Sequence, residues 1–167
     1  MIRRQVARGG IIELMLGESR IMPAVIRRAE SYRAFKLRPE AENYFACLVD
    51  PAEPSRNATE FAAMVEIYPR RGSVQSGRGS DAQELMFVLK GKGKARCGGE
   101  TRLIESGDTI VMSAGADRTI ENVGPGKLYT FTVTASREPL NRMARDGVEV
   151  PLDDEDLGVL RRLPLRR

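Results

Sequence analysis

The sequence predicts an all-β protein of closed or sandwich-like architecture, with short helices at its C-terminal end. Two observations lead to this fold class. Short stretches with alternating apolar residues recur along the chain, and glycine-bearing turns separate them. Many short strands divided by turns are typical of a closed or sandwich-like β architecture. The length of 167 residues fits one domain that can bury a core without disulfides or a structural metal.

The predicted strands begin just after residue 22. They are expected at residues 24–37, 44–49, 61–68, 84–89, 101–105, 109–112, 118–123 and 128–133. The intervening segment 69–80 contains three glycines and is predicted to be turn-rich. We therefore divide the chain into an N-terminal extension (1–22), a barrel (23–136) and a helical tail (137–167).

The strand at 84–89 has the strongest pattern. One face carries Glu84, Met86 and Val88, and the other carries Leu85, Phe87 and Leu89. A strand that is apolar on both faces is expected to be covered on both. The protein interior would cover the first face, and either an N-terminal segment or a second subunit would cover the second. The pattern thus favours a homodimer.

The tail is predicted to contain two helices, at residues 139–146 and 151–163. In the second helix, Asp153 or Asp154 lies near the N-cap, where its side chain can accept hydrogen bonds from free backbone N–H groups. Arg161 and Arg162 lie near the other end, where the helix dipole favours positive charge.

Composition argues against several classes of function. The net charge of +4 is not gathered into a basic stripe with aromatic residues, so nucleic-acid binding is disfavoured. No apolar run approaches the ~18 residues that a membrane span needs, and the N-terminus is too charged for a secretory signal. A cytoplasmic location is therefore expected. The two cysteines do not suggest a disulfide framework.

A first spacing pattern includes the strongest strand. The pattern consists of a glycine, a pair of positions with one residue between them, a glutamate and a closing glycine. In this chain the glycine is Gly72, the pair is Arg78 and Ser80, the glutamate is Glu84 and the closing glycine is Gly91. If four residues rather than three separate the pair from the glutamate, Gly77 and Gly79 occupy the paired positions instead. The spacing from the first glycine favours the arginine and the serine.

A second spacing pattern follows fifteen residues later. It places Gly107, Ser113, Gly115, Arg118 and Asn122 at the positions of glycine, proline, glycine, histidine and asparagine. In both their glycine spacing and their separation, the two patterns resemble the paired motifs of the cupin superfamily, in particular small single-domain bacterial cupins. The resemblance covers residues 60–133 and implies an antiparallel jelly-roll β-barrel of the RmlC-like cupin type.

The resemblance also implies where a metal would bind. Typical cupins hold iron, manganese, nickel or zinc with three histidines and one glutamate. This chain has no histidine, and Arg78, Ser80 and Arg118 occupy the histidine positions. A guanidinium cannot ligate a metal, because it stays protonated and has no acceptor. No cofactor is therefore expected, and a metalloenzyme with unusual ligands is the disfavoured alternative.

The expected site lies inside the barrel, where Glu84 and Arg118 should face each other. One interpretation is a structural ion pair, joined by Arg78, that fills the former metal site. The other is a pocket for a small carboxylate or phosphate, because two arginines against one glutamate leave a net positive charge. Its binding residues would be Arg78, Ser80, Glu84 and Arg118, with Met86, Val88, Ile110 and Met112 as apolar lining and a hydroxyl from Tyr68 or Tyr129.

Two functions remain open on the sequence alone. In the first, the protein binds a small anion without a metal, with or without turnover; in the case of turnover, Glu84 would act as a general acid or base in an isomerase, epimerase or lyase type of reaction. In the second, the protein is a degenerate cupin without catalysis that serves as a dimerisation or interaction scaffold.

Overall fold

The computed structural model describes residues 5–6, 12–13, 25–49, 61–76, 82–135 and 147–162. These residues form fourteen β-strands, one 3-10 helix and one α-helix. The elements are β1 (Gln5–Val6), β2 (Ile12–Glu13), β3 (Val25–Ile26), the 3-10 helix (Ala29–Ser31), β4 (Arg33–Lys36), β5 (Tyr44–Val49), β6 (Ala62–Tyr68), β7 (Ser73–Ser76), β8 (Glu84–Lys90), β9 (Lys92–Cys97), β10 (Glu100–Glu105), β11 (Thr109–Met112), β12 (Arg118–Asn122), β13 (Leu128–Thr134), β14 (Val148–Val150) and α1 (Asp154–Leu160).

The strands form three sheets in which every pairing is antiparallel. The larger sheet has the order β11-β8-β13-β6-β5-β4-β14, the smaller sheet has the order β10-β9-β12-β7, and β1-β2-β3 form a third. The predicted all-β jelly roll is confirmed. The prediction of a closed barrel is not, since the described strands leave the larger and smaller sheets as two separate layers.

The main core lies between the larger and smaller sheets. It consists of buried side chains from both layers: Tyr68, Met86, Val88, Met112 and Leu128 from the larger side, and Ala95, Ile104 and Ile120 from the smaller. Period-two alternation brings these residues to the inner faces, since successive strand residues point to opposite sides. We call the space between these two inner faces the interior.

The strand predictions are mostly confirmed. The bounds of β5 and β11 agree with the expected ones, and those of the other expected strands from residue 61 onward differ by only a residue or so. Within residues 24–37, the 3-10 helix Ala29–Ser31 interrupts the extended chain. Five strands were not among the expected ones: β1, β2, β7, β9 and β14. Of these, β7 and β14 depend on distant partners, because β7 pairs with β12 and β14 pairs with β4.

The second predicted helix is confirmed as α1. Asp153 is its N-cap: the Asp153 carboxylate accepts a hydrogen bond from the Asp156 N–H at 2.9 Å, and the Asp156 carboxylate accepts one from the Asp153 N–H at 3.1 Å. This reciprocal capping box fixes the start of the helix. The helix predicted at residues 139–146 lies outside the described residues. No described helix is long and apolar enough to cross a membrane.

The helix α1 covers part of the outer face of the larger sheet. Leu160 and Leu157 pack there with Val65, Ile67 and Tyr129 in a second apolar cluster. This cover does not extend over the whole face. Leu85 and Phe87 of β8, which we expected to be covered, remain 46% and 38% exposed.

Two glycines of the spacing patterns have clear backbone roles. Gly91 has φ of +98°, and a Cβ at this position would lie 2.7 Å from the carbonyl oxygen of Lys127. Gly107 has φ of +102°, and its N–H donates to the Val88 carbonyl at 2.9 Å. These conformations favour glycine, and the turns they form place β8 and its neighbours in register.

Candidate functional site

Arg118 and Glu84 meet in the interior, as the sequence predicts. Arg118 begins β12 in the smaller sheet and Glu84 begins β8 in the larger one. The Arg118 guanidinium donates a hydrogen bond from Nη1 to Glu84 Oε2, and the two side chains are only 14% and 9% exposed. The contact therefore joins the two sheets through a largely buried ion pair.

A second carboxylate, which the sequence analysis did not identify, lies on the other side of the same guanidinium. Glu66 in β6 is 1% exposed, and its Oε2 lies 3.8 Å from Arg118 Nη2. Asn43, also buried, donates from Nδ2 to Glu66 Oε1 at 2.6 Å. We call Glu66, Glu84 and Arg118 the interior charged group.

A signal for Glu66 was present in the sequence. It is the only charged residue within β6, a strand in which every residue is buried. A carboxylate in such a strand requires a partner when the strand folds. The spacing patterns begin only at Gly72, so they could not assign Glu66 to the site.

Burial shifts the pKa of the Glu66 carboxyl. Removal from water raises the pKa of the Glu66 carboxyl, and the positive charge of Arg118 opposes this shift only in part. The carboxyl therefore keeps its proton to a higher pH than an exposed glutamate does. Glu84, by contrast, is hydrogen-bonded directly to the guanidinium.

Threonine hydroxyls line the strand between the two carboxylates. In β13, Thr130 pairs in register with Glu66 and Thr134 with Glu84, while Thr132 pairs with Met86. Paired residues in neighbouring strands share a face. The three threonines therefore face the interior together with the charged group, and all three are buried.

Three hydroxyl groups of this face have no hydrogen-bond partner among the described residues. They belong to Tyr68, Thr130 and Thr132. The Tyr68 hydroxyl lies close enough to Glu66 and Thr130 to interact electrostatically, but without the geometry of a formed hydrogen bond. Buried polar groups in native proteins nearly always have a partner. These hydroxyls thus add unused hydrogen-bonding capacity beside the charged group.

The predicted apolar lining is brought to the interior. Met86 and Val88 are fully buried, Met112 is 5% exposed, and Ile110 packs against them. Met112 also contacts the Arg118 guanidinium through its sulfur at 3.9 Å. The predicted site residues Arg78 and Ser80 lie outside the described residues.

Tyr129 does not belong to this site, and its assignment to the interior is wrong. Its neighbours Leu128 and Thr130 face the interior, so the alternation of β13 turns Tyr129 to the outer face, beneath α1. There its hydroxyl donates to Asp156 Oδ1 at 2.8 Å.

Tyr129 instead belongs to a polar group that fastens α1 to the larger sheet, which we call the Asp156 cluster. The fully buried Asp156 carboxylate accepts hydrogen bonds from Tyr44, Tyr129 and Lys127, each at 2.8 Å. Lys127 Nζ also lies 2.5 Å from Asp153 Oδ2. Burial raises the pKa of Tyr44 to about 12, so its hydroxyl remains a donor at neutral pH.

Asn122 has a structural role. Its amide donates to the carbonyl oxygens of Tyr68, Pro69 and Gly126 at 2.8–3.0 Å, and its side-chain oxygen accepts from the Gly124 N–H at 2.9 Å. These four bonds hold together the loops at one end of the two sheets. All of its side-chain hydrogen-bonding groups are used.

The charge balance of the interior differs from the expected one. The prediction of an anion site counted Arg78 and Arg118 against Glu84. The described residues bring Arg118 together with both Glu84 and Glu66. Among these residues, the interior is neutral when Glu66 is protonated and carries one negative charge when it is not.

The side chains present do not fit the metal that typical cupins hold. The chain has no histidine, and the described residues contain no group of three metal-ligating side chains. Arg118, which the motif spacing aligns with a histidine, uses its guanidinium to bind Glu84. A cation beside this guanidinium would be repelled.

Comparisons with known proteins agree with this fold. The Cupin domain family model matches residues 63–134, whereas no curated protein matches the chain. A solved structure described as a predicted oxalate decarboxylase from Thermotoga maritima is 21% identical, with a TM-score of 0.55, over 66% of this chain and 97% of that one.

Two further solved structures show the same fold. The plu4264 protein from Photorhabdus luminescens is 19% identical, with a TM-score of 0.51, over 64% of this chain and 86% of that one. KdgF from Halomonas sp. is 14% identical, with a TM-score of 0.51, over 64% of this chain and 89% of that one. At these identities the likeness concerns the fold alone. Together with the family match over residues 63–134 and the two-sheet jelly roll, it shows that this part of the chain has the cupin fold.

Proposed function

We propose that this protein of cupin fold binds a small organic molecule in its interior without a metal, and that the interior charged group provides the polar contacts. The observation that carries the proposal is the meeting of Glu66, Glu84 and Arg118 between the sheets. Small-molecule sites commonly combine an apolar lining with a few convergent polar groups. Met86 and Met112 supply such a lining beside the charged group.

The two carboxyl groups suit acid–base chemistry on a bound molecule. Glu66 is buried and retains its proton more readily than an exposed glutamate, so it suits the acid. Glu84 is paired with a guanidinium and suits the base. Carboxyl groups in different environments are a recurring basis for proton transfer in enzymes. Isomerisation, epimerisation and dehydration are reactions of this type.

The anionic ligand expected from the sequence remains one class to test. A carboxylate or phosphate would have to share or replace the contacts that Arg118 makes with Glu84 and Glu66. That exchange requires a guanidinium able to bind the anion in a bidentate manner, which arginine provides. Arg78 and Ser80 stay predicted contributors to such a site.

A thermal-shift titration tests binding. We would measure the melting temperature with citrate, malate, glucose 6-phosphate and D-glucitol, since a ligand of the folded state raises it as concentration exceeds the dissociation constant. A shift caused by citrate, malate or glucose 6-phosphate should disappear in Arg118→Met and persist in Arg102→Met, a control at an exposed arginine. A shift with one of these anions that survives in Arg118→Met would contradict the assigned site.

Two further measurements test the remaining parts of the proposal. Elemental analysis of the purified protein should find no stoichiometric iron, manganese, nickel or zinc. For a ligand that binds, NMR in deuterated water should show exchange of a carbon-bound proton that Glu84→Gln removes. Binding without exchange would leave a binding protein rather than an enzyme.

A second candidate function is an interaction scaffold, and the exposed outer face of β8 favours it. Val111 pairs in register with Leu85, and Leu85 pairs with Val133, so apolar residues of three strands lie side by side. Val111 is 73% exposed. We also propose that a second copy of the chain covers this face, as the strand pattern predicts. The expected cytoplasmic location stays a prediction.

A further inference from the structure

We infer that the ligand of the interior is a small neutral polyol, bound by the three hydroxyl groups of Tyr68, Thr130 and Thr132. This inference rests on the proposed function and specifies its ligand class. The three groups are nearly completely buried, with residue exposures of 0%, 0% and 2%. None has a hydrogen-bond partner among the described residues.

The position of these hydroxyls connects them to the interior charged group. Thr130 pairs with Glu66, and Tyr68 lies two residues after Glu66 in β6, on the same face of that strand. Thr132 follows Thr130 on this face and pairs with Met86. The hydroxyls therefore form a short polar row with Thr130 beside Glu66 at its centre and with Tyr68 and Thr132 on either side.

The chemistry of the row points to hydroxyl groups on the ligand. A hydroxyl both donates and accepts, so three protein hydroxyls match a molecule that carries several adjacent hydroxyls. The carboxyl oxygens of Glu66 and Glu84 add acceptors, and the Asn43 amide holds Glu66 in place. The buried methionine Met86 offers an apolar surface for the carbon skeleton.

The charges of the described residues explain why the ligand should be neutral. Arg118 is engaged with Glu84 through a hydrogen bond and with Glu66 at 3.8 Å. Two carboxyl groups face one guanidinium, so an added anion would meet repulsion or would have to displace one of them. A neutral polyol can bind without separating the ion pair, and burying an additional charge is unfavourable.

The test compares neutral polyols with acids of matched carbon chain. Thermal-shift titrations at millimolar concentrations would use xylitol, D-glucitol and myo-inositol, with xylonate and D-gluconate as the matched acids. We expect a saturating shift with at least one polyol and a much weaker one with the acids. The variants Thr132→Val and Thr130→Val should each weaken polyol binding about fivefold, because each removes one hydrogen bond.

Two controls separate binding from general effects. Polyols stabilise many proteins without binding, but that general effect would be equal in the wild type, Thr130→Val and Thr132→Val. Thr119→Val, whose side chain lies on the opposite face of β12 from Arg118, is the matched control and should keep the full shift. Loss of an unpartnered hydroxyl should not lower the stability of the ligand-free protein. If Thr132→Val and Thr130→Val instead unfold more readily, the hydroxyls have structural partners and the inference fails.

The remaining outcomes distinguish this inference from the proposed function. Tighter binding of the acids, lost in Arg118→Met, would overturn the polyol inference and leave the proposed function standing. Equal polyol shifts in the wild type and both threonine-to-valine variants would also overturn the inference. If neither polyols, nor acids, nor phosphates bind, both the inference and the proposed function are wrong.

Discussion

Arg118 in the smaller sheet donates a hydrogen bond to Glu84 in the larger sheet, across the interior. The two residues come from the two spacing patterns of the sequence, which predict a position of a histidine for the arginine and the position of the carboxylate ligand for the glutamate. Their ion pair joins the two sheets.

The first prediction concerns the strength of this pair. Arg118→Met should lower the free energy of unfolding by about 3–5 kcal/mol, because it leaves Glu84 without its partner in a buried position. The double variant Arg118→Met, Glu84→Met should recover a large part of that loss, since it buries no unpaired carboxylate at position 84. Urea unfolding measures both. Equal losses in the single and double variants would show that the pair is not coupled.

The second prediction is a pH dependence caused by Glu66. Its folded-state pKa is raised above the ordinary value of 4.5. Between that value and the raised pKa, the folded protein holds a proton that the unfolded chain has released, so stability falls as pH rises. The stabilising contribution is complete below about pH 4.5 and is lost as pH passes through the folded-state pKa.

Removing the carboxyl group tests this dependence. Glu66→Gln keeps the shape and can still accept from Asn43, but it cannot ionise. Its stability relative to the wild type should therefore increase with pH across the same window, as measured by urea unfolding at successive pH values. Glu42→Gln, at an exposed glutamate before β5, is the control. A constant difference between Glu66→Gln and the wild type would contradict the prediction.

The contact between Glu84 and Arg118 could be predicted from the sequence because both residues occupy spaced motif positions. Glycines such as Gly91 and Gly107 fix those spacings through backbone conformations that other residues rarely adopt. A motif therefore gives the relative placement of residues that are distant along the chain.

Glu66 and Tyr129 show what the motifs could not provide. Glu66 lies outside both patterns, and its place beside Arg118 depends on the order in which β6 and β13 pair. Tyr129 was assigned to the interior by residue type, although its own alternation with Thr130 places it on the outer face. Whether that outer face is exposed or buried depends on α1, which packs on it and comes from a segment far along the chain.

The third prediction concerns the Asp156 cluster. Asp156→Asn should lower the free energy of unfolding by about 3 kcal/mol, because it weakens charged hydrogen bonds from Lys127, Tyr44 and Tyr129 in a buried site. Asp154→Asn, an exposed residue of the same helix, should change it little. Hydrogen exchange should also become faster in α1. Equal effects of the two variants would mean that the cluster does not fasten the helix.

The fourth prediction uses two glycines with different surroundings. Gly91→Ala and Gly98→Ala both place a side chain at positive φ, which costs about 1–2 kcal/mol. At Gly91 the new Cβ would also lie 2.7 Å from the Lys127 carbonyl oxygen, whereas at Gly98 no atom lies within 4 Å. Gly91→Ala should therefore be clearly the more destabilising in urea unfolding. If Gly98→Ala is instead the more destabilising variant, the backbone at Lys127 can move away from the new Cβ at little cost in free energy.

The fifth prediction tests the homodimer expected from β8. Phe87 and Leu85 are partly exposed on the outer face, beside the largely exposed Val111. If a second copy covers this face, Phe87→Arg should convert a dimer into a monomer, because it would bury an unpaired charge in the contact. Light scattering after gel filtration measures the mass.

Leu103→Arg is the matched control for that experiment. Leu103 is 78% exposed on β10, at the edge of the smaller sheet, whereas β8 belongs to the larger sheet. The Leu103→Arg variant adds the same charge as Phe87→Arg but lies outside the proposed contact, so its measured mass should be that of a dimer. A wild-type monomer would refute the homodimer directly. Dissociation by Leu103→Arg but not by Phe87→Arg would move the contact to the smaller sheet.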